Sequence, residues 1–326
     1  MTDSEFRLDP GLLDRFRVDL DALIDPSARI GIAVSGGPDS LALLLLVAEV
    51  RPSGIEAATV DHALRPGSRV EAETVARICD RLGVPHAILT ADWPEKPKTA
   101  IQERARAMRY RLLGEWARER GLAALATGHH LDDQAETLLM RLARGAGVRG
   151  LAGMRPISRI PDGSIVLVRP LLGWKHAELE AVCAAAGIEP IRDPSNEDDQ
   201  FERVRVRRTL GDTDWLDAAA VAASAANLAD ADEALDWAVV LEWTRSVSVA
   251  DEAIAYRPSG TPPEIRRRIV RRAILALATE GEGELRGREL DQLLATLAAG
   301  RTGTLRGVLC SGGDAWRFAK APPRRS

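Results

Sequence analysis

The chain has 326 residues, of which 45% are hydrophobic, with a formal net charge of −4 and a sequence isoelectric point of about 5.9. This length and composition predict a packed core with room for two domains, and the charge excludes a uniformly basic nucleic-acid-binding protein. The three cysteines, Cys79, Cys183 and Cys310, form no CxxC pair, which argues against a disulfide framework or a cysteine zinc site and fits a reducing compartment.

The start of the chain and its apolar runs argue against a membrane location. Met1–Phe6 is acidic and polar, unlike a signal peptide, and residues 1–28 predict a short leading helix. The longest apolar run, Leu41–Ala48, is too short to span a bilayer. The sequence therefore predicts a cytoplasmic protein with no membrane partner.

From residue 30 onward, apolar β-branched runs alternate with helical patterns. Strands are predicted at Ile30–Val34, Ile55–Val60, His86–Thr90 and Ala123–Thr127. The helices that follow these strands are predicted at Ser40–Val50, Val70–Leu82, Ile101–Arg120 and Asp132–Ala143. Four strand–helix units predict an α/β fold with a doubly wound parallel sheet, whose ligands bind at the carboxyl ends of the strands.

The first strand ends in the hexapeptide SGGPDS, residues 35–40, directly before a helix. A strand, a glycine turn and a helix start favour phosphate binding, because unpaired N–H groups and the helix dipole point at the anion. Gly36 and Gly37 lack the Cβ atoms that would block a close approach, and the Ser40 hydroxyl can cap the helix or donate to phosphate. The hexapeptide lacks the lysine of a Walker loop and the GxGxxG of a dinucleotide fold. It resembles the SGGxDS pyrophosphate loop of the N-type ATP pyrophosphatases; a plain glycine turn with a cap is the alternative.

A second polar cluster, TGHHLDDQAET at residues 127–137, follows the fourth strand and enters a helix. Asp133 and Glu136 are three residues apart and so share a helical face, and His129 lies at the mouth of the strand. Two acids and a histidine beside a phosphate loop suit Mg²⁺ binding and activation of an amine. The alternative is an ordinary helix start, with acids favoured by the dipole.

The composition changes beyond Asp212, where a domain boundary is predicted. Residues 1–211 would form the catalytic domain and residues 212–326 a smaller, mainly helical domain that ends in a β-hairpin. Before the boundary, Ile165–Leu172 predicts an edge strand, Glu178–Ala186 a helix and Asp193–Asp199 a polar loop. Beyond it, helices are predicted at Trp215–Thr244, Glu264–Ala278 and Gly287–Ala299, and a hairpin at Gly303–Ala321.

The two clusters together resemble the tRNA(Ile)-lysidine synthetase family, through SGGxDS at the first strand and GHHxDDQxET at the fourth. Further matching motifs follow in the expected order: VDHALR at 60–65, RAMRY at 106–110, RGAGVRGLAGM at 144–154, RPLL at 169–172 and DPSN at 193–196. Two positions depart from the family pattern. Val204 stands where the family usually has Asn, and His176 stands where it often has Arg.

The resemblance implies a two-step reaction. ATP adenylates the C2 oxygen of the wobble cytidine in tRNA(Ile) with a CAU anticodon, and the ε-amine of free L-lysine then attacks C2 and expels AMP. ATP with Mg²⁺, lysine and this tRNA are therefore the expected cofactors and partners. A homodimer is compatible with the sequence, which does not decide the oligomeric state.

The resemblance also implies site residues, by role. The expected catalytic residues are Asp39, His129, Asp133 and Glu136, of which Asp133 and Glu136 would bind lysine and Asp39 and Asp133 the metal. The expected ATP-binding residues are Ser35, Gly36, Gly37, Pro38, Asp39, Ser40, Asp61, His62, Arg65, Arg109 and Gly128. The expected tRNA-binding residues are Arg144, Arg149, Arg203, Arg205, Arg207, Arg267 and Arg271.

The arginines have a second interpretation. At helical spacing Arg267, Arg268, Arg271 and Arg272 form one stripe, which can contact phosphates or can simply be a solvated face. An anticodon loop usually also needs stacking surfaces; Trp174 and Trp215 are candidates, although a buried tryptophan is the default.

Two other kinds of protein stay open at this point. A tRNA thiolase of the same superfamily commonly needs paired cysteines, which this chain lacks. A non-catalytic RNA-binding protein would have lost the acids of the two clusters, but Asp39, Asp133 and Glu136 are all present.

Overall fold

The computed structural model describes residues 8–65, 67–93, 95, 99–191, 202–250, 252–278, 285 and 287–322. The predicted polar loop at 193–199, with its DPSN motif, lies outside the described residues, as does the start of the predicted leading helix. The chain divides into two compact units, residues 1–229 and 230–326. The domain boundary predicted at residue 212 stays a prediction.

The first unit contains a six-stranded sheet in the order β3-β2-β1-β4-β6-β5. Its strands are β1 (Ile30–Ala33), β2 (Ile55–Asp61), β3 (His86–Thr90), β4 (Ala124–Thr127), β5 (Ile157–Arg159) and β6 (Val166–Val168). All neighbouring pairs are parallel except β5 with β6. The predicted α/β fold with a doubly wound parallel sheet is confirmed.

Helices connect and cover the strands of this sheet. They are α1 (Pro10–Asp21), α2 (Pro38–Val50), α3 (Ser68–Arg81), α4 (Ile101–Glu119), α5 (Leu131–Ala143), α6 (Val148–Leu151), α7 (His176–Ala185) and α8 (Glu202–Gly211). Separate apolar cores form on the two faces of the sheet: Ile30 and Ile32 pack with α2, whereas Leu125 packs with Leu113 and Trp116 of α4. Helices on both faces are what parallel strands require, because both of their faces are apolar.

The apolar run in α2 is buried rather than membrane-spanning. Every residue from Leu41 to Val47 is fully buried, so this helix is apolar all round and lies inside the core. None of the helices in the described part of the chain is both long and apolar enough to cross a membrane.

The strand order places two chain segments at one crevice. β1 lies between β2 and β4, so the chain leaves β1 towards one side and leaves β4 towards the other. Ile30 is in register with Ile55 and with Ala124, which brings the carboxyl ends of the three strands to one edge. A switch in strand order of this kind opens a crevice for ligands. The two polar clusters of the sequence both begin at that edge.

The second unit contains more sheet than the sequence predicts. Five strands form an antiparallel sheet in the order β7-β8-β11-β10-β9: β7 (Val247–Ala250), β8 (Ala253–Tyr256), β9 (Thr302–Leu305), β10 (Val308–Ser311) and β11 (Trp316–Lys320). The helices of the C-terminal region are α9 (Ala218–Ser246), α10 (Pro263–Leu277) and α11 (Gly287–Ala298). β8 pairs with β11, about sixty residues away along the chain, and local sequence patterns do not reveal such a pairing.

The predicted arginine stripe on α10 is not a uniform solvated face. Arg268 is only 6% exposed, and its guanidinium contacts carboxylates of Asp232 at 2.7 Å, Asp236 at 2.8 Å and Glu264 at 2.8 Å. Arg268 is therefore not part of an exposed stripe. Its three carboxylate partners compensate the cost of burying its charge. Arg267 pairs with Asp291 and keeps a third of its side chain exposed.

Candidate active site

The phosphate loop lies between β1 and α2 and is held together by one serine. Ser40 Oγ accepts the N–H groups of Ser35 at 3.1 Å and Gly36 at 3.2 Å, and it donates to the carbonyl of Gly37 at 3.0 Å. Gly36 has φ +92°, the left-handed region that favours glycine. α2 starts at Pro38, so the loop and the first turn of this helix form a cradle of the kind that binds phosphate.

Gly128 lies where β4 meets the phosphate loop. A Cβ atom at this position would lie 2.8 Å from the carbonyl carbon and oxygen of Asp39 and 3.0 Å from the nitrogen of Ser40. These are backbone atoms, which cannot rotate away as a side chain can. Only glycine lets the end of β4 approach the start of α2 this closely.

Replacing Gly128 by Ala should therefore displace the start of α2. Overpacking of this kind typically lowers the free energy of unfolding by about 1–2 kcal/mol, and we expect ATP to bind about tenfold more weakly. Calorimetric titration with ATP and thermal unfolding measure the two effects. Gly173→Ala is the matched control, because a Cβ there has no neighbour within 4 Å. Equal ATP affinity in both variants would contradict the argument.

Asp39 lies between two histidines. Its Oδ1 is 2.7 Å from Nδ1 of His176, and its Oδ2 is 3.6 Å from Nε2 of His130. Burial opposes ionisation of Asp39, but these two imidazoles hold the pKa of its carboxyl well below the usual range. In turn, Asp132, Asp39 and Asp133 outweigh burial and raise the pKa of His130 to about 10. The carboxylates and imidazoles of this group therefore stabilise one another's charged forms.

The two acids predicted to share a metal approach the same imidazole. Asp133 Oδ2 lies 3.6 Å from Nε2 of His130, the nitrogen that Asp39 also approaches, and it accepts the backbone N–H of His130 at 3.3 Å. The histidine is thus placed among these carboxylates at the start of α5. The assignment of Asp39 and Asp133 as metal ligands stays a prediction.

His129 is held in an uncharged form. Its Nδ1 lies 2.9 Å from the Oγ1 of Thr127. Burial lowers the pKa of His129 to about 4, and nearby arginines act in the same direction, although Asp133 opposes them. A neutral imidazole at the end of β4 can exchange hydrogen bonds or a proton with a bound ligand.

Glu136 is engaged by two arginines of α8. Its side chain is 1% exposed; Oε1 accepts Nε of Arg207 at 2.6 Å, and Oε2 lies 3.2 Å from Nε of Arg203. Burial raises the pKa of Glu136, while the two arginines act against this rise. The acid predicted to bind lysine therefore contacts two residues predicted to bind tRNA, and a cationic group already occupies the place expected for an ammonium.

A cavity of about 540 Å³ opens beside the phosphate loop, within the usual size range of ligand pockets. Many of the predicted ATP-binding residues line it: Ser35, Gly37, Asp39, Ser40, His62, Arg65, Arg109 and Gly128, together with His129. Gly36, Pro38 and Asp61 do not. The assignment of these residues to ATP binding stays a prediction.

Asp61 has a structural role in this arrangement. Its buried carboxylate accepts the N–H of Ala63 at 2.9 Å and the hydroxyl of Ser68 at 2.7 Å. These bonds fix the turn after β2, which carries His62 into the cavity. Burial and the charge of Arg109 lower the pKa of His62 to about 4, so that this imidazole is neutral as well.

The remaining predicted residues have varied surroundings. Arg65 pairs with both carboxylate oxygens of Glu71, at 2.8 and 2.9 Å. Arg144 pairs with Glu202, and both lie near the start of α8. Three further arginines predicted to bind tRNA, Arg149, Arg205 and Arg271, are exposed or half-exposed.

The stacking candidates differ in exposure. Trp174 is fully buried and donates from Nε1 to Asp19 at 2.8 Å, so it is a core residue. Trp215 is 84% exposed and is free to stack on a base.

Sequence reasoning missed three residues at the centre of the site. His130 and His176 contact Asp39, and Asp132 contacts both of these histidines, yet the sequence predicts a role for none of the three. Asp132 Oδ2 accepts the backbone N–H of His176 at 2.8 Å and so ties α7 to α5. The replacement of an expected Arg by His176 was the available signal, because a departure from a pattern beside a catalytic loop marks a changed contact.

Comparison with known proteins gives a consistent result. The family described as the PP-loop domain matches residues 13–213. The tRNA(Ile)-lysidine synthase of Novosphingobium aromaticivorans is 48% identical over 321 residues, which cover 97% of this chain and 96% of that protein. The tRNA(Ile)-lysidine synthase of Zymomonas mobilis is 42% identical over 301 residues, which cover 92% and 90%. Among solved structures, the U34-tRNA thiolase NcsA from Methanococcus maripaludis has a TM-score of 0.56 at 18% identity, covering 68% of this chain and 77% of that one, and so shares the fold.

Proposed function

Because this chain belongs to the tRNA(Ile)-lysidine synthase family, we propose that it joins lysine to C2 of the wobble cytidine of tRNA(Ile) with a CAU anticodon. It is an ATP-dependent tRNA-modifying ligase. The observation that carries the proposal is the cavity in which the phosphate loop, His62, Arg109 and His129 converge at the carboxyl edge of the sheet.

In the first step the cytidine C2 oxygen attacks the α-phosphorus of ATP, and the bond to the β-phosphate oxygen breaks. The N–H group of Gly37 and the first turn of α2 hold the departing pyrophosphate, while the N–H of Gly36 bonds to Ser40 and fixes the loop. Arg109 faces the cavity and supplies a positive charge to the phosphates. His129 and His62 are uncharged at neutral pH, so they can orient the nucleotide through hydrogen bonds without adding charge.

The residues of the loop fit Mg²⁺ that arrives with ATP. Asp39 offers carboxylate oxygen at the start of α2, beside the phosphate cradle, and oxygen is the donor that Mg²⁺ prefers. Asp39 would hold the ion, with Asp133 as the second acid near the same imidazole. When bound, Mg²⁺ neutralises the charge of the departing pyrophosphate.

In the second step the lysine ε-amine attacks C2, and AMP leaves with the former C2 oxygen. Asp133 and Glu136 bind the ammonium and accept its proton; the two acids are three residues apart and lie on one face of α5. Since Arg203 and Arg207 contact Glu136, lysine must displace at least one guanidinium from this carboxylate. Binding of tRNA phosphates by the same arginines would release Glu136 for lysine.

The second unit carries the proposed contact with tRNA phosphates outside the anticodon. Arg267 and Arg271 remain on the accessible part of α10, whereas Arg268 does not. Changing Arg267 and Arg271 together to Glu should weaken tRNA binding about tenfold near physiological salt and reduce its salt slope by about two. Filter binding over a salt series measures both quantities.

The matched control for this change is the double variant Arg301→Glu, Arg317→Glu, which alters charge equally at exposed positions of the same unit. ATP affinity should be equal in all three proteins, because every residue that lines the cavity lies in the first unit. If the α10 variant keeps the wild-type tRNA affinity and salt slope, α10 does not contact the tRNA phosphates. Arg203, Arg205 and Arg207 would then be the residues that make these contacts.

The adenylated intermediate gives the most specific test of the proposed mechanism. Incubation with ATP labelled at the α-phosphate and an unmodified isoleucine tRNA, without lysine, should place label on the RNA. Addition of lysine should release this label as AMP. Failure to label the RNA, with a folded protein and bound ATP, would contradict the mechanism.

A thiolase activity is not favoured by the described cysteines. Cys79, Cys183 and Cys310 are all buried and free, and burial raises the pKa of each thiol to about 12. Thiols of this kind are poor nucleophiles and poor cluster ligands. The proposed substrates indicate the cytoplasm as the site of action, and a homodimer stays a prediction.

A further inference from the structure

Asp39 and its two neighbouring histidines form a cluster of atoms that could bind a metal ion, and the proposed ATP chemistry uses only Asp39 of this cluster. One atom each from Asp39, His130 and His176 lie within 4.8 Å of one another. We infer that these three residues bind a transition-metal dication of the Zn²⁺ class, which displaces to solvent any proton on the imidazole nitrogens that face Asp39. Two imidazoles with one carboxylate suit Zn²⁺ and its neighbours, whereas Mg²⁺ prefers a site made of oxygen.

Carboxylates behind both histidines support this assignment. Asp132 Oδ2 lies 3.3 Å from Nδ1 of His130, and Glu180 Oε1 lies 3.6 Å from Nε2 of His176. Metal-binding histidines generally have a carboxylate or carbonyl at the second ring nitrogen, which orients the ring and raises the basicity of the ligating nitrogen. Here the two rings direct Nε2 of His130 and Nδ1 of His176 at Asp39.

The surrounding fold keeps this arrangement in place. His130 is 2% exposed at the start of α5, and His176 is the first residue of α7. Asp132 joins the two helices, because its Oδ2 approaches His130 and also accepts the backbone N–H of His176. Three helix starts, those of α2, α5 and α7, therefore each contribute one ligand.

His176 distinguishes this candidate metal site from the same position in relatives that carry Arg. It stands where the family pattern often has Arg, and a guanidinium has no lone pair to give a metal. A metal held here would engage Asp39, which the proposed function needs for pyrophosphate, so Zn²⁺ should inhibit the ligase in competition with Mg²⁺. This consequence rests on the proposed function, whereas metal binding itself does not.

Cobalt titration of the full chain tests the inference, because Co²⁺ takes the place of Zn²⁺ and absorbs visible light. The chelator-treated protein should bind one Co²⁺ with a visible absorption band, and Zn²⁺ should abolish that band. His176→Arg should weaken binding at least about 100-fold, and Glu180→Gln, which removes only an outer carboxylate, about tenfold. His86→Gln is the control that removes a histidine outside the cluster and should leave binding intact.

The titration contains no ATP, lysine or tRNA, so its outcome is independent of whether the ligase reaction occurs. Failure of the wild-type chain to bind one Co²⁺ would overturn the inference. Equal affinity in wild type and His176→Arg would overturn it as well. Thermal unfolding shows whether His176→Arg is folded. If this variant does not fold, the comparison uses Glu180→Gln instead, and an affinity for Co²⁺ equal to that of the wild type contradicts the inference.

Discussion

Replacing Asp39 by Asn should slow adenylation at least about 100-fold, a loss of roughly 3 kcal/mol of transition-state stabilisation. The amide keeps the shape of the side chain but removes the charge at the start of α2. It also removes the carboxylate that His176 contacts at 2.7 Å, and so leaves two imidazoles without their common anion. Release of pyrophosphate from ATP and tRNA, measured in single turnovers, reports this step directly.

The control for Asp39→Asn is Glu49→Gln, a loss of the same charge at the other end of α2. This variant should adenylate tRNA at the wild-type rate. Thermal unfolding of both proteins separates a loss of chemistry from a loss of structure. If the folded Asp39→Asn variant adenylates tRNA near the wild-type rate, the Asp39 carboxylate has no role in the adenylation step.

Replacing Glu136 by Gln should raise the KM for lysine by about 10- to 100-fold, with a change of less than about threefold in the KM for ATP. The carboxylate is buried on α5, and its attraction to an ammonium group is stronger there because the buried surroundings screen charges less than water does. Steady-state kinetics with each substrate varied in turn measures the two constants. Equal increases in both would contradict a role confined to lysine.

Arg207→Gln is the matched control for Glu136→Gln, because it breaks the same 2.6 Å ion pair from the other side. The variant leaves the charge of Glu136 in place, so its KM for lysine should not rise. A similar rise in both variants would show that the ion pair supports the local structure and that Glu136 does not bind lysine.

The parts of the fold that depend on local patterns could be predicted from the sequence. β1 to β4 begin and end within about one residue of the predicted strands, because short β-branched runs lie between clear turn signals. The carboxyl edge of the sheet followed from the alternation of strands and helices. The phosphate loop was equally predictable, because SGGPDS stands between a predicted strand and a predicted helix.

The contacts that define the site could not be predicted, because they join distant segments. His176 meets Asp39 across 137 residues of sequence, and Arg207 meets Glu136 across 71. Composition did not reveal that Arg268 would be buried, because its partners Asp232 and Asp236 lie on another helix. In each case a charged residue pairs with a charge of the protein that no local pattern in the sequence indicates.

Lysine transfer to tRNA tests the central claim most directly. Radiolabelled lysine, ATP and an unmodified transcript of isoleucine tRNA with a CAU anticodon are incubated with the protein, and label on the RNA is mapped. The account predicts one lysine per tRNA at the wobble cytidine, with one AMP and one pyrophosphate formed, and no label when that cytidine is replaced by uridine. Label that is absent, or that persists after this replacement, would contradict the assignment.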